Sequence, residues 1–176
     1  MPPGFGLLIG AQFASALADN ALLIVTIALL QAQGLPGWWA PMLKLGFTLS
    51  YVALAPFVGA LADSVPKARL MGWMNAIKWF GVLGLLLGLH PVLAFAIVGF
   101  GAAAYAPAKY GLVTESVPAE RLVAANGWIE VSVVGAGLLG TVGGGWLVSA
   151  TWLESGPASA LLRWAPSGWL AGTGAL

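Results

Sequence analysis

The stretch Phe5–Leu30 reads FGLLIGAQFASALADNALLIVTIALL, an apolar run of 26 residues interrupted near its middle by Asp19 and Asn20. As a helix it rises about 39 Å, enough to cross a hydrocarbon core of about 30 Å with some tilt. Asp19 then lies far from water at either end. A carboxylate there costs at least about 2.5 kcal/mol even on lenient insertion scales, so such groups face a bundle interior or a watery cavity, where they handle substrates or ions. Gln12, Ser15 and Asp19 follow at i, i+3 and i+7. That spacing puts them on one face as a polar stripe and leaves most of the leucine, isoleucine and valine for lipid or neighbouring helices.

Composition agrees with a membrane setting. Hydrophobic residues make up 60% of the 176-residue chain and charged residues 7%, against about 25% charged in soluble domains, and the mean hydropathy is +0.92. The class is an all-α integral membrane protein. A net charge of +1 supplies no basic field, which excludes nucleic acid as a partner. The chain has no cysteine, which excludes disulfides and thiolate metal sites, and no cofactor or metal motif stands out. No basic residue precedes Lys44, so the first apolar run lacks the charged leader of a secretory signal and is expected to stay as a span.

Five spans are expected in residues 1–150, over about 5–30, 41–62, 70–89, 92–110 and 122–148. Two adjacent tryptophans, Trp38 and Trp39, suit the interface after the first of them. Lys67, Arg69, Lys109 and Arg121 gather in or beside the second and fourth turns, which places those turns and the N-terminus in the cytoplasm. Lys44 lies on the opposite side, near enough to the interface to snorkel. Residues 151–176 contain Glu154, Arg163 and two prolines but no apolar run of spanning length. They are expected to form a periplasmic loop and the start of a truncated sixth helix.

Depths counted along the helices put Lys78 and Glu130 each about 12 Å inside the membrane on different spans, so an ion pair between them is geometrically possible. Asp19 lies about 21 Å from the same surface, with no basic residue of the chain obviously at its depth. Gly135, Gly137, Gly140, Gly143, Gly144 and Gly145 crowd the fifth span, and Gly84 and Gly88 repeat the GxxxG spacing in the third. Such residues let helix backbones approach closely. His90 beside Pro91 reads as a loop residue, and Pro107 permits a kink. Neither a nucleophilic triad nor a paired-histidine motif is present, so an enzyme is not expected.

The turn GALADSVPKAR resembles the signature loop between helices 2 and 3 of major facilitator transporters, with Gly59, Asp63, Lys67 and Arg69 in matching places. Ser64 and Pro66 depart from its common form, which has a basic residue and a glycine there. AQFASALADNALL from Ala11, APFVGALADS from Ala55, GAAAYAPAKYG from Gly101 and LVAANGWIEVS from Leu122 resemble the lysophospholipid transporter family within that superfamily. The resemblance covers roughly residues 11–148. It implies the N-terminal six-helix half of a major facilitator fold, with the sixth helix incomplete and the C-terminal half of the transporter missing. It further implies a bacterial inner-membrane carrier that moves lysophospholipid, of the lysophosphatidylethanolamine class, to the cytoplasmic leaflet for reacylation. An acyltransferase with acyl-carrier-protein synthetase activity is the implied partner. Asp19, Asn20, Tyr105 and Lys109 fall on the implied substrate path, and Gly59, Asp63, Lys67 and Arg69 on the gating loop. The competing readings are a major facilitator exporter of drugs or small solutes, and a non-transporting helical module that binds lipid or serves as an accessory subunit.

Overall fold

A computed structural model describes residues 3–32 and 34–149. Within them the chain forms α1 (Pro3–Ala32), α2 (Trp39–Ser64), α3 (Lys67–Leu86), α4 (Pro91–Ser116) and α5 (Leu122–Leu147), with a short 3₁₀ turn at Ala119–Arg121 before α5. No strand occurs among the described residues. The expected loop and sixth helix lie outside them. Four helices (α1, α2, α4 and α5 with its 3₁₀ turn) are long and apolar enough to cross a membrane. The fifth, α3, is not among them, because Arg69, Asn75 and Lys78 interrupt its apolar residues.

Helix ends follow local chemistry more than apolarity. α3 stops at Leu86 because Gly88 adopts φ +89°, and the Leu89 amide turns back to the Gly84 carbonyl at 2.8 Å. Such a left-handed residue closes a helix by satisfying its last carbonyls. Gly88 is therefore a terminator, and the GxxxG spacing of α3 is no packing seam. α4 begins at Pro91 with His90 as its cap, the imidazole Nδ1 accepting from the Val92 amide at 3.3 Å. The same helix runs on through Pro107 and through Gly111–Ser116, where the apolar pattern had ended it at residue 110. Val113 there is fully buried, and Glu115 takes the Lys67 ammonium.

α4 lies at the centre, with α3 packed on one side and α2 on the other. Small residues make this approach feasible. A β-carbon at Gly101 would stand 2.6 Å from the Met74 carbonyl oxygen, and one at Gly99 2.8 Å from the Phe47 Cα. α1 pairs with α5 instead, through Gly140 and Gly144, whose β-carbons would meet the Leu17 and Ala21 carbonyl oxygens at 2.5 and 2.8 Å. A β-carbon at Gly143 or Gly145, by contrast, would meet nothing within 4 Å. The large apolar side chains Leu7, Trp79, Phe80, Val123 and Leu138 point outward. An apolar exterior over a core of small residues is the pattern of a protein solvated by lipid.

One apolar cluster closes an end of this bundle. Phe5, Val58, Leu70, Val113 and Ile129 belong to it, one from each helix, all near the end that carries the α2–α3 and α4–α5 turns. A smaller cluster of Leu30, Leu43 and Phe95 lies toward the opposite end. Between the two, α1 and α3 scarcely approach each other.

Candidate functional site

The gap between α1 and α3 is bridged by side chains alone. The Lys78 ammonium donates to Asp19 Oδ2 at 2.5 Å and to Ser15 Oγ at 2.9 Å, and the Ser15 hydroxyl donates to Asn75 Oδ1 at 3.2 Å. Ser15 and Asp19 come from the polar stripe of α1. Asn75 and Lys78 are neighbours on α3, three residues and so about one turn apart. Lys78 is only 8% exposed, and its ammonium also stands 5.3 Å from the Tyr105 ring centroid. Mid-helix placement of a carboxylate is thus tolerated by a direct cationic partner.

This geometry corrects the Lys78–Glu130 pairing that depth allowed. Glu130 instead accepts a hydrogen bond from the Tyr110 hydroxyl at 2.5 Å, joining α5 to α4. Equal depth along two helices does not bring side chains together when the helices are not neighbours, and α3 packs on α4, not on α5. Asp19, in turn, has a basic partner after all. The four-carbon stem of lysine spans the difference in depth that a count along the backbone suggests.

Two hollows flank the bridge. On one side lies a cavity of about 330 Å³, and Asp19, Asn20, Tyr105 and Lys109, named from the sequence, all line it. Gln12, Lys44 and Tyr51 line it as well. Lys44, placed at the interface from the sequence, therefore also borders the interior. Tyr51 carries no sequence signal that distinguishes it from a core aromatic. Asn20 is satisfied within its own helix, its amide donating to the Ala16 carbonyl at 2.8 Å. Lys109 is 5% exposed and makes no ion pair among the described residues; its ammonium rests 4.4 Å from the Tyr110 ring centroid. Gln12 Oε1 and the Tyr105 hydroxyl are buried and have no hydrogen-bond partner among the described residues.

On the other side of the bridge a larger groove of about 610 Å³ runs between α1 and α3. Ser15, Asp19 and Lys78 border both hollows, but the groove is otherwise mostly apolar, with Leu22, Val25 and Trp79 among its walls. Gly59, Asp63, Lys67 and Arg69 border neither. Lys67 instead ties the start of α3 to the end of α4 through Glu115, and its stem packs over Gly111. Asp63 and Arg69 form no ion pair among the described residues.

Five helices with apolar exteriors, four of them of spanning character, around a charged interior hollow define a multi-pass membrane protein with an internal polar site. Within that class the chain is similar in sequence to lysophospholipid transporters. It is 49% identical over 142 residues to the lysophospholipid transporter LplT of Salmonella paratyphi B, covering 81% of this chain and 35% of that protein. LplT of Shigella flexneri is 48% identical over 149 residues, 85% of this chain and 37% of the relative. The Salmonella typhimurium protein matches at 49% over 142 residues. The chain thus spans about a third of the length of the curated relatives it matches. These relatives are transporters, not enzymes. No family model and no solved structure matches the chain.

Proposed function

We propose that this chain forms part of a lysophospholipid transporter of the bacterial inner membrane. It carries lysolipids of the lysophosphatidylethanolamine class to the cytoplasmic leaflet, where an acyltransferase restores the second chain. One observation carries the proposal beyond the resemblance to LplT. A polar cavity and an apolar groove meet at a single ion pair, Lys78–Asp19, and so match a ligand with one charged headgroup and one acyl chain. Asp19, Asn20, Tyr105 and Lys109 form the headgroup side. The groove walls solvate the chain by apolar contact.

The pairing of α1 with α5, and of α4 with α2 and α3, supports a half-transporter of the major facilitator kind, built of nested three-helix repeats. The basic residues of the α2–α3 and α4–α5 turns support a cytoplasmic face at that end, with the N-terminus on the same side. The apolar cluster then closes the cytoplasmic end. Gly59, Asp63, Lys67 and Arg69 occupy this closed end, where a gating turn belongs.

The test is uptake of labelled lysophosphatidylethanolamine by spheroplasts that produce the gene product. Asp19→Ala is expected to abolish it, and retained uptake removes Asp19 from the mechanism. Efflux of amphipathic dyes without lysolipid uptake would point instead to an exporter.

A further inference from the structure

Lys44, Lys78 and Lys109 line the polar cavity against one carboxylate, Asp19, among the described residues. Asp19 is taken by Lys78, and Lys44 is exposed, so the sheltered excess charge is that of Lys109, a residue 5% exposed. Left alone, that charge favours ligands of net negative charge. It is not left alone. The Lys109 ammonium lies 4.4 Å from the centroid of the Tyr110 ring, and the Tyr110 hydroxyl donates at 2.5 Å to Glu130 on α5. Consecutive residues on a helix do not face each other, so the lysine stem has to bend round its own helix to reach that ring. A phenol that donates to a carboxylate is polarised toward the phenolate, which makes the ring face more negative and its hold on a cation firmer. Lys109, Tyr110 and Glu130 thus form a lysine–carboxylate pair with an aromatic ring between the partners. Glu130 itself lines neither hollow, yet its charge acts on the Lys109 ammonium.

We infer that Glu130 is a specificity-determining residue: from behind the Tyr110 ring it offsets the Lys109 charge and so sets the cavity to prefer a zwitterionic ligand over one of net negative charge. This rests on the lysolipid transport proposed above and deepens it. A phosphoethanolamine headgroup carries no net charge and a phosphoglycerol headgroup carries one negative charge, but both present the same phosphodiester. Contact with the phosphate therefore cannot tell them apart, whereas the net potential of the wall can. Two compensated lysines, Lys78 with Asp19 between α3 and α1 and Lys109 with Glu130 between α4 and α5, leave the sheltered wall close to neutral. The Tyr110–Glu130 bond also ties α4 to α5, which otherwise touch little. The two roles separate cleanly. A tie needs only an acceptor at position 130, whereas the offset needs a negative charge there.

The experiment measures displacement of a fluorescent lysophosphatidylethanolamine from the gene product in phosphatidylcholine nanodiscs. The competitors are lysophosphatidylethanolamine and lysophosphatidylglycerol of one chain length, and the quantity read is the ratio of their affinities. Glu130→Gln keeps an acceptor for the Tyr110 hydroxyl and removes only the charge. It is expected to shift the ratio toward lysophosphatidylglycerol by about 4- to 16-fold, the factor for unit charges about 10 Å apart at an effective dielectric constant of about 20–40. Tyr110→Phe, which keeps the ring but releases the carboxylate, is expected to shift it partway in the same direction. Lys109→Met is expected to shift it the other way. Glu115→Gln removes one negative charge beyond both hollows and is expected to leave the ratio as it is. A Glu130→Gln protein with the native ratio overturns the inference while lysolipid binding itself stands, and makes Glu130 a structural tie. Equal shifts in Glu130→Gln and Glu115→Gln also overturn it, because the net charge of the protein would then act without Tyr110. Absence of any lysolipid displacement from the native protein removes the inference together with the transport role.

Discussion

Two of the bundle's helix junctions, α3 with α4 and α1 with α3, are built on opposite principles. Where α3 meets α4, glycines bring backbone against backbone: a β-carbon at Gly81 would stand 2.8 Å from the Ala94 carbonyl oxygen, and one at Gly101 2.6 Å from the Met74 carbonyl oxygen. Where α1 faces α3, the helices stay apart and are joined by Lys78, Asp19, Ser15 and Asn75. A dry seam of small residues gains dispersion contacts along its whole length and resists opening. A seam held by a few polar groups concentrates its stabilisation in one place and leaves hollows beside it. Only the second can accept a ligand without repacking a core, because exchanging partners at one ion pair shifts few atoms.

The strongest way to break this contrast is to remove one partner of the bridge. Asp19→Ala leaves the ammonium of Lys78, a residue 8% exposed, without its carboxylate, and an uncompensated buried charge typically costs about 3–5 kcal/mol. Denaturation of the detergent-solubilised protein is expected to report a loss of that order. The double variant Asp19→Ala with Lys78→Met removes both charges and is expected to regain most of the stability, since apolar replacement of a buried pair is often neutral. Lysolipid uptake is expected to stay lost in both. Recovery of uptake along with stability would make the bridge purely structural.

A second test presses on the glycine seams. Gly140→Leu forces a side chain against the Leu17 carbonyl oxygen, where a β-carbon alone would stand at 2.5 Å, and overpacking of this kind costs about 1–3 kcal/mol. Gly143→Leu, three residues away on the same helix, meets open space and is expected to change stability by no more than about 0.5 kcal/mol. Equal effects of the two substitutions would mean that glycine in α5 acts through helix propensity and not through contact with α1.

Much of this architecture is visible in the residues, and the gaps have physical causes. The polar stripe Gln12, Ser15 and Asp19 follows from helical periodicity alone, because one helix fixes the relative azimuth of its own side chains. The identity of the partner across the gap does not follow, since counting along Lys78 and Glu130 yields depth but no azimuth between helices. Glycines give the same half-answer: their crowding in α5 signals close approach, yet only the packing separates Gly140 and Gly144 from Gly143 and Gly145. The end of α4 was hidden for another reason. Its last turns are polar, and what holds them helical is Val113 in the core and Glu115 on Lys67, contacts from distant parts of the chain. Tyr105 and Lys109 were found by resemblance; no periodicity marks them. Gln12 is legible as part of a stripe, but that its amide oxygen finds no partner among the described residues is a fact of packing.

The smallest expected effect comes from the polar contact that resembles the bridge most closely in chemistry. Lys67–Glu115 is also a lysine–carboxylate pair between helices, but the side chain of Glu115 is 57% exposed, against 23% for Asp19. Water and salt screen an exposed pair, and long side chains lose rotamer freedom in making it, so its worth is under about 1 kcal/mol. Glu115→Gln is expected to lower stability by no more than that, with the difference fading as salt is raised. Asp19→Ala, whose damage arises from a desolvated ammonium, is expected to keep most of its effect in the same salt series. Matching salt dependence in the two variants would place Asp19 and Lys78 in contact with bulk electrolyte, and the interior hollow could not then be the sheltered site from which a headgroup is passed across the membrane.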